Sequence, residues 1–435
     1  MKFFFFARSA MQVKKHYIWI AIAGILLICL CFFLLMRPTT VSAEVTEEEY
    51  MPEPTPTPCL HEWQDGVCVL CGEACEHVEY MNGQCTRCGY ICQHQPYVDG
   101  KCPICGLECE HVFIEGVCYL CQYRCPHEKH DRDTQLCERC GLRVPHHYVD
   151  NVCACGHEFE ALTGWGDYLW LDTCEQPGTL EEVRYQTPRY DRDPTKTYDK
   201  WMYVYTPYDY DPSLKYNVIF LYHGRGGSHL SWTATDEDID GMYVTMKNIY
   251  DNMIAYDVCE PFILVSLDTG FLVDGWKMSD NSEEHNALEL RNVVLPHIIQ
   301  NYSTYAESSD IEDIKAAREH FGIGGFSNGS LFAYKSGMMR NFDIFGNYLF
   351  VSGDDSAHAV DYIMSDEWKD LPFKCVFCAG CYDSQYDHIC HGYDRMIATT
   401  DRMVPDSTCF KIISDYGHDL RTPAIGIFNA MQLLF

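Results

Sequence analysis

Residues 320–334 read HFGIGGFSNGSLFAY. An apolar, glycine-rich run ends at Gly325-Phe326-Ser327-Asn328-Gly329, and a helix-like run follows. A serine between two glycines on a strand-to-helix turn is the pattern of a nucleophile elbow. The sharp turn exposes the hydroxyl, and the small flanking residues let neighbouring backbones approach. Short Gly/Ser patterns also occur in ordinary turns. The rest of the chain must therefore supply a strand before Ser327, a helix after it, a base and an acid.

The flanking sequence supplies the strands. Candidates fall at 201–207 (WMYVYTP), 216–224 (YNVIFLYHG), 261–268 (PFILVSLD), 320–327, 347–354 (NYLFVSGD), 373–380 (FKCVFCAG) and 409–415 (CFKIISD). Most are continuous apolar runs, as expected of strands covered on both faces in a parallel sheet. Helical patterns at 283–302 and 328–340 lie between them. Alternating strands and helices predict a mostly parallel sheet flanked by helices. Ser327 then stands where an elbow requires it, at a helix N-terminus whose N–H groups face the site.

A nucleophilic serine needs a base, and the base needs an orienting acid. On α/β-hydrolase sheets the chain order is serine, acid, histidine. His418 follows the last candidate strand, and no histidine lies beyond it. The strand at 373–380 runs into CYDSQYD, which makes Asp383 the first candidate acid and Asp387 the reserve. His388 and His391 read as surface or packing residues. The oxyanion hole needs two backbone N–H groups. Asn328, after the nucleophile, supplies one. Arg225, in the glycine-rich YHGRGG loop (222–227), is the best candidate for the other. His223 precedes the serine and reads as a residue that shapes this loop. Cys375, Cys378, Cys381 and Cys390 could suggest a metal, but in a buried strand cysteines are more often small core residues.

The first half of the chain is built differently. Of 26 cysteines, 17 fall between Cys59 and Cys155, with a period of 16–17 residues. Each unit reads C-x-H, a spacer of six to nine residues, then C-x-x-C. The predicted ligand sets are Cys59, His61, Cys68 and Cys71; Cys75, His77, Cys85 and Cys88; Cys92, His94, Cys102 and Cys105; Cys109, His111, Cys118 and Cys121; Cys125, His127, Cys137 and Cys140. Grouping each C-x-x-C with the C-x-H that follows is the alternative register. Three thiolates and one imidazole suit a tetrahedral structural zinc ion with no open position for catalysis. A disulfide framework is the rival, but it gives a histidine at a fixed offset no role. In a sixth, degenerate unit Val144 replaces the first cysteine, leaving His146 or His147, Cys153, Cys155 and His157 as an altered site or an empty cap. Such units are too small for a core of their own, so metal substitutes for burial.

Charge limits the partners. The chain carries a formal net charge of -31, and residues 59–157 hold 14 acidic against 7 basic residues. A zinc array that gripped nucleic acid would show the reverse balance. The repeats read instead as a stalk or a surface for a protein partner. Residues 1–16 carry Lys2, Arg8, Lys14 and Lys15, and residues 17–36 form an uncharged apolar run of bilayer-spanning length. No Lys or Arg follows Arg37 until Arg87. The bias predicts a cytoplasmic N-terminus and everything after the span outside. A retained signal anchor is favoured over a signal peptide cleaved near the VSA at 41–43. Residues 37–58, rich in Pro, Thr and Glu, read as an extended linker. The expected plan is thus span, linker, repeats at 59–157 and an α/β domain at 165–435.

Within that last domain, CEQPGTLEEVRYQT, VYTPYDYDPSLKYNVIFLYHGRGG, ELRNVVLPHIIQNYSTYAE, AREHFGIGGFSNGS and SDYGHDLRTP follow one another in order. Residues 174–435 resemble the carbohydrate esterase family that includes feruloyl and acetylxylan esterases. The resemblance implies an α/β hydrolase with a serine triad and no catalytic cofactor. It also implies acyl-ester substrates on plant cell-wall polysaccharide. One departure stands out: the family usually has Met-Gly-Gly after the serine, and this chain has Asn328-Gly329-Ser330. That leaves a backbone oxyanion donor intact but changes the pocket. Acyl transfer on the same fold, or a non-catalytic carbohydrate- or partner-binding role, are the competing expectations.

Overall fold

The computed structural model describes residues 60–435, apart from 65–66, 78, 82–83, 91, 93–100, 105, 110, 115, 120–121, 128, 166–167, 191–192, 234–237, 240–241, 244–245, 274–275 and 280–282. The predicted membrane span at 17–36, the linker, and the ligands Cys59, His94, Cys105 and Cys121 lie outside the described residues. Among the described residues no helix is long and apolar enough to cross a membrane.

Residues 179–414 contribute an eight-stranded sheet, ordered β8-β7-β6-β5-β3-β4-β2-β1. Its strands are β1 Thr179–Arg189, β2 Asp193–Thr206, β3 Asn217–Tyr222, β4 Phe262–Leu267, β5 Phe321–Phe326, β6 Asn347–Val351, β7 Lys374–Gly380 and β8 Cys409–Ser414. Strands β3 to β8 pair in parallel, whereas β2 runs antiparallel to both β4 and β1. The sheet is therefore mixed, which corrects the mostly parallel expectation at one edge. Strand β1 was not among the predicted strands. Its sequence, TLEEVRYQTPR, buries Val183, Tyr185 and Thr187 at alternate positions and exposes Arg184 and Gln186 between them. A half-covered edge strand has no continuous apolar run to detect.

The inner strands are covered on both faces. Val218, Phe220 and Tyr222 of β3 join one core, while Ile219 and Leu221 join the other. The same alternation puts Cys375 of β7 in the first core and Cys378 in the second. Thiols on opposite faces of a strand cannot share one metal ion. Burial raises the pKa of both well above the usual thiol value. Helices α1 Met246–Ala255 and α8 Arg421–Leu433 cover one face. Helices α3 Leu295–Asn301, α4 Ile311–Ala316, α5 Asn328–Phe332, α6 Ser356–Ile363 and α7 Tyr386–Thr399 supply side chains to the other, and short α2 spans Glu283–Glu289. The predicted helix at 283–302 is broken by a π-helical turn at Leu290–Val294, just before Pro296. A second π segment, Ala333–Met338, continues α5.

The repeats form two-residue β-ladders, as at Trp63–Gln64 with Val67–Cys68 and Phe113–Ile114 with Val117–Cys118. Among the described residues, C-x-x-C knuckles close with five-residue turns, for example Gly72 N–H to Cys68 O at 2.8 Å and Gly141 N–H to Cys137 O at 2.9 Å. The residue after the second cysteine takes φ of 71 to 74° at Gly72, Gly89, Gly106 and Gly141. Glycine meets that demand without a Cβ clash. Adjacent repeats also touch: the Arg87 guanidinium lies 5.5 Å from the Trp63 ring, and that of Arg139 lies 5.6 Å from the Phe113 ring.

Candidate active site and metal centres

Ser327 follows β5 with φ 56° and ψ −116°, a backbone state that non-glycine residues rarely adopt. Its N–H donates to Val351 O at 2.7 Å, which ties the strained turn to β6. The elbow depends on close approach at Gly325 and Gly329. A Cβ on Gly325 would lie 2.4 Å from the Gly329 carbonyl carbon, and one on Gly329 would lie 2.1 Å from Tyr222 O. The start of α5 is thereby pressed against the end of β3.

Asp383 and His418 come from the turns after β7 and β8, at the same edge of the sheet. His418 Nδ1 donates to Asp383 Oδ1 at 2.9 Å. That bond leaves the Nε2 lone pair facing the Ser327 hydroxyl, 3.0 Å away. Asp383 is buried, while the His418 side chain remains 34% exposed. The His418 ring also packs against Phe326 at 4.8 Å. Asp387, His388 and His391 lie exposed on α7, away from this chain of bonds.

A further residue escaped sequence reading. Ser352, after β6, has φ 54° and donates from Oγ to Asp383 Oδ2 at 2.5 Å. Gln385 N–H reaches the other carboxylate oxygen at 2.7 Å. Both oxygens of Asp383 are thus held, which fixes the carboxylate plane against the imidazole. Nothing in NYLFVSGD marks Ser352, because its role depends on β6 lying between β5 and β7.

Asn328 is the first residue of α5, so its N–H has no partner within the helix. Gly224 to Gly227 form a tight turn closed by Gly227 N–H to Gly224 O at 3.1 Å, with Gly226 at φ 83°. That turn uses the N–H of its fourth residue and leaves that of Arg225, its second, unused. His223 is buried and donates from Nδ1 to Gly224 O at 2.7 Å, while its Nε2 accepts Thr269 N–H at 3.3 Å. Asp268 stands behind it: Oδ1 lies 3.4 Å from His223 Nε2, and Oδ2 lies 3.1 Å from His229 Nδ1. Burial works against the charged His229, but its bonds to Asp268 and Glu182 outweigh that and raise its pKa above the ordinary value. His223 therefore shapes the loop. A cavity of about 810 Å³ opens at the opposite ends of the strands, lined by Asn217, His320 and Lys374, and takes no part in this site.

In the repeats, C-x-H and C-x-x-C of the same unit converge. Donor atoms of Cys125, His127, Cys137 and Cys140 all lie within 4.8 Å of one another, as do those of Cys75, His77 and Cys88, of His61, Cys68 and Cys71, and of Cys109, His111 and Cys118. Sulfur–sulfur distances are 3.5 Å for Cys92–Cys102, 3.7 Å for Cys109–Cys118 and 3.6 Å for Cys125–Cys137. Sulfur–imidazole distances are 3.3 Å for Cys88–His77 and for Cys140–His127. Ligands about 2.0–2.3 Å from a tetrahedral ion stand about 3.3–3.8 Å apart, whereas bonded sulfurs stand about 2.05 Å apart. The donor set and spacing fit zinc. Sequence reading missed one member of these clusters: His130 joins His146, Cys153 and Cys155.

No protein-family profile matches the chain. Endo-1,4-beta-xylanase Y of Acetivibrio thermocellus is 31% identical over 185 residues, 42% of this chain. The chain spans 15% of the length of that curated relative. Among solved structures, a mutant feruloyl esterase module of Clostridium thermocellum, complexed with sinapinate, superposes with a TM-score of 0.52 at 23% identity. It covers 63% of this chain and 96% of the module. A structure of FAE gives 0.51 at 23% identity, over the same shares. The C-terminal domain thus has the α/β-hydrolase fold. Among proteins of that fold it is similar to feruloyl esterases.

Proposed function

We propose that the protein is a serine esterase that removes acyl groups, feruloyl or acetyl, from plant cell-wall polysaccharide. The observation that carries this reading is the 3.0 Å approach of His418 Nε2 to Ser327 Oγ on a left-handed elbow. The likeness to feruloyl esterases and to a xylanase supports the substrate class.

In this reading Ser327 Oγ attacks the ester carbonyl as its proton passes to His418 Nε2. The N–H groups of Asn328 and Arg225 hold the oxyanion. The imidazolium returns the proton to the leaving sugar oxygen, and the acyl group stays on Ser327. Water then attacks the acyl-enzyme by the same route, with His418 as base. Asp383 keeps the tautomer and steadies the positive imidazole. No step calls on a metal. Zinc in the repeats would replace the core that each unit lacks.

The N-terminal apolar run, its basic flank and the linker support an anchored protein with its catalytic domain outside the cell. The repeats would serve as a stalk or as a protein-binding surface. A screen of the purified protein against feruloyl, acetyl and aryl esters tests the reaction. Turnover that disappears in Ser327→Ala supports the proposal, and no turnover on any ester counts against it.

A further inference from the structure

We infer that His130, His146, Cys153 and Cys155 bind a further structural zinc ion, which fastens the fifth repeat to a hairpin seated on the hydrolase domain. His130 belongs to the fifth repeat, whose spacer of nine residues is the longest of the five. The backbone of His130 stays paired within its own repeat, while its imidazole faces the sixth unit, with Nε2 3.4 Å from Cys153 Sγ. It is held there by a β-bridge to Cys137 and by a capped turn, in which Asp131 Oδ1 accepts Thr134 N–H at 2.8 Å. His130 thus supplies the ligand that the sixth unit lost where Val144 replaced cysteine.

The geometry is that of a closed site. Cys153 Sγ lies 3.4 Å from His130 Nε2, Cys155 Sγ lies 3.4 Å from His146 Nδ1, and the two ring nitrogens are 3.4 Å apart. These spacings match the edges of a tetrahedron around zinc, about 3.3–3.8 Å. His157, the alternative fourth ligand, stacks on His146 at 4.2 Å and places its Nδ1 3.1 Å from Tyr148 Oη. It packs the site from outside. The set is Cys2His2, in contrast to the Cys3His sets of the full repeats.

The hairpin Tyr148–Val149 with Val152–Cys153, which carries Cys153 and is flanked by His146 and Cys155, is already docked. Asp150 Oδ1 accepts Ser407 Oγ at 2.5 Å, and His147 Nε2 lies 3.3 Å from Glu260 Oε1. Tyr148 and Phe159 pack against the hydrolase core. Gln135 Nε2 of the fifth repeat donates to Asp257 O at 3.1 Å. An ion between His130 and the hairpin would make this joint rigid.

The test is zinc content of the purified full-length chain by elemental analysis, with thiol counting and circular dichroism on each variant. His130→Ala and Cys155→Ser should each bind one zinc fewer per chain than the wild type. His157→Phe, which keeps the stacking, should lose none. His130→Cys should restore the lost ion even if His130→Ala folds poorly. Protease should cut His130→Ala faster between residues 141 and 160. Full zinc content in His130→Ala, loss of one ion in His157→Phe, or Cys153 and Cys155 recovered without free thiols would each overturn the inference.

Discussion

The Cβ that Gly329 lacks would lie 2.1 Å from the carbonyl oxygen of Tyr222. In the proposed reaction this contact would set the oxyanion hole, because it presses the first turn of α5 against the end of β3, which leads into the loop that carries Arg225. Gly329→Ala should push the two apart and weaken one donor. We expect kcat on a soluble ester to fall about 100- to 1,000-fold, the cost of losing one such donor. Steady-state kinetics, with circular dichroism to confirm folding, would check it. Unchanged kcat would mean that Asn328 and the loop do not act together.

The two carboxylates near the site should separate cleanly. Asp383→Asn presents the wrong partner to His418 Nδ1 and should lower kcat by about 10⁴. Asp387→Asn, on the exposed face of α7, should leave kcat unchanged. Ser352→Ala removes one charge-assisted bond to Asp383 and should cost about 10- to 100-fold. Equal losses in all three would point to general destabilisation.

His229 gives a pH signature. Its folded pKa is raised, with Asp268 and Glu182 holding the proton against the cost of burial. A raised pKa stabilises fully below the unfolded value, about 6.5, and the gain is lost as pH rises through the folded value. The Tm advantage of the wild type over His229→Gln should be largest near pH 6 and shrink above neutrality. An advantage that grows with pH would reverse the sign.

Metal should divide the chain. Chelation should release zinc from the repeats, with proton uptake by the freed thiolates, and unfold residues 59–157. Turnover of a small soluble ester should persist, because Ser327, His418 and Asp383 hold one another through their own bonds. Loss of that turnover would place a metal in the chemistry.

Much of the site was legible in the sequence because its parts are local. The serine elbow, the acid after one strand and the histidine after the last each sit in a short segment with a recognisable order. The knuckles were legible for the same reason, since C-x-x-C-G carries its turn with it. What escaped depends on distant neighbours. Strand β1 is half polar and exists by pairing with β2. Ser352 matters only because β6 lies between β5 and β7. The His130 side chain reaches from its own repeat to the cluster of the next, and a pattern counted unit by unit cannot show that.

In the proposed reaction Ser327 is the nucleophile and becomes acylated. The direct measurement is intact-protein mass spectrometry after mixing with a slowly deacylating aryl or feruloyl ester. The expected result is a mass increase equal to one acyl group, mapped to the peptide that contains Ser327 and absent in Ser327→Ala. Turnover without any adduct on Ser327, or full turnover by Ser327→Ala, would contradict it.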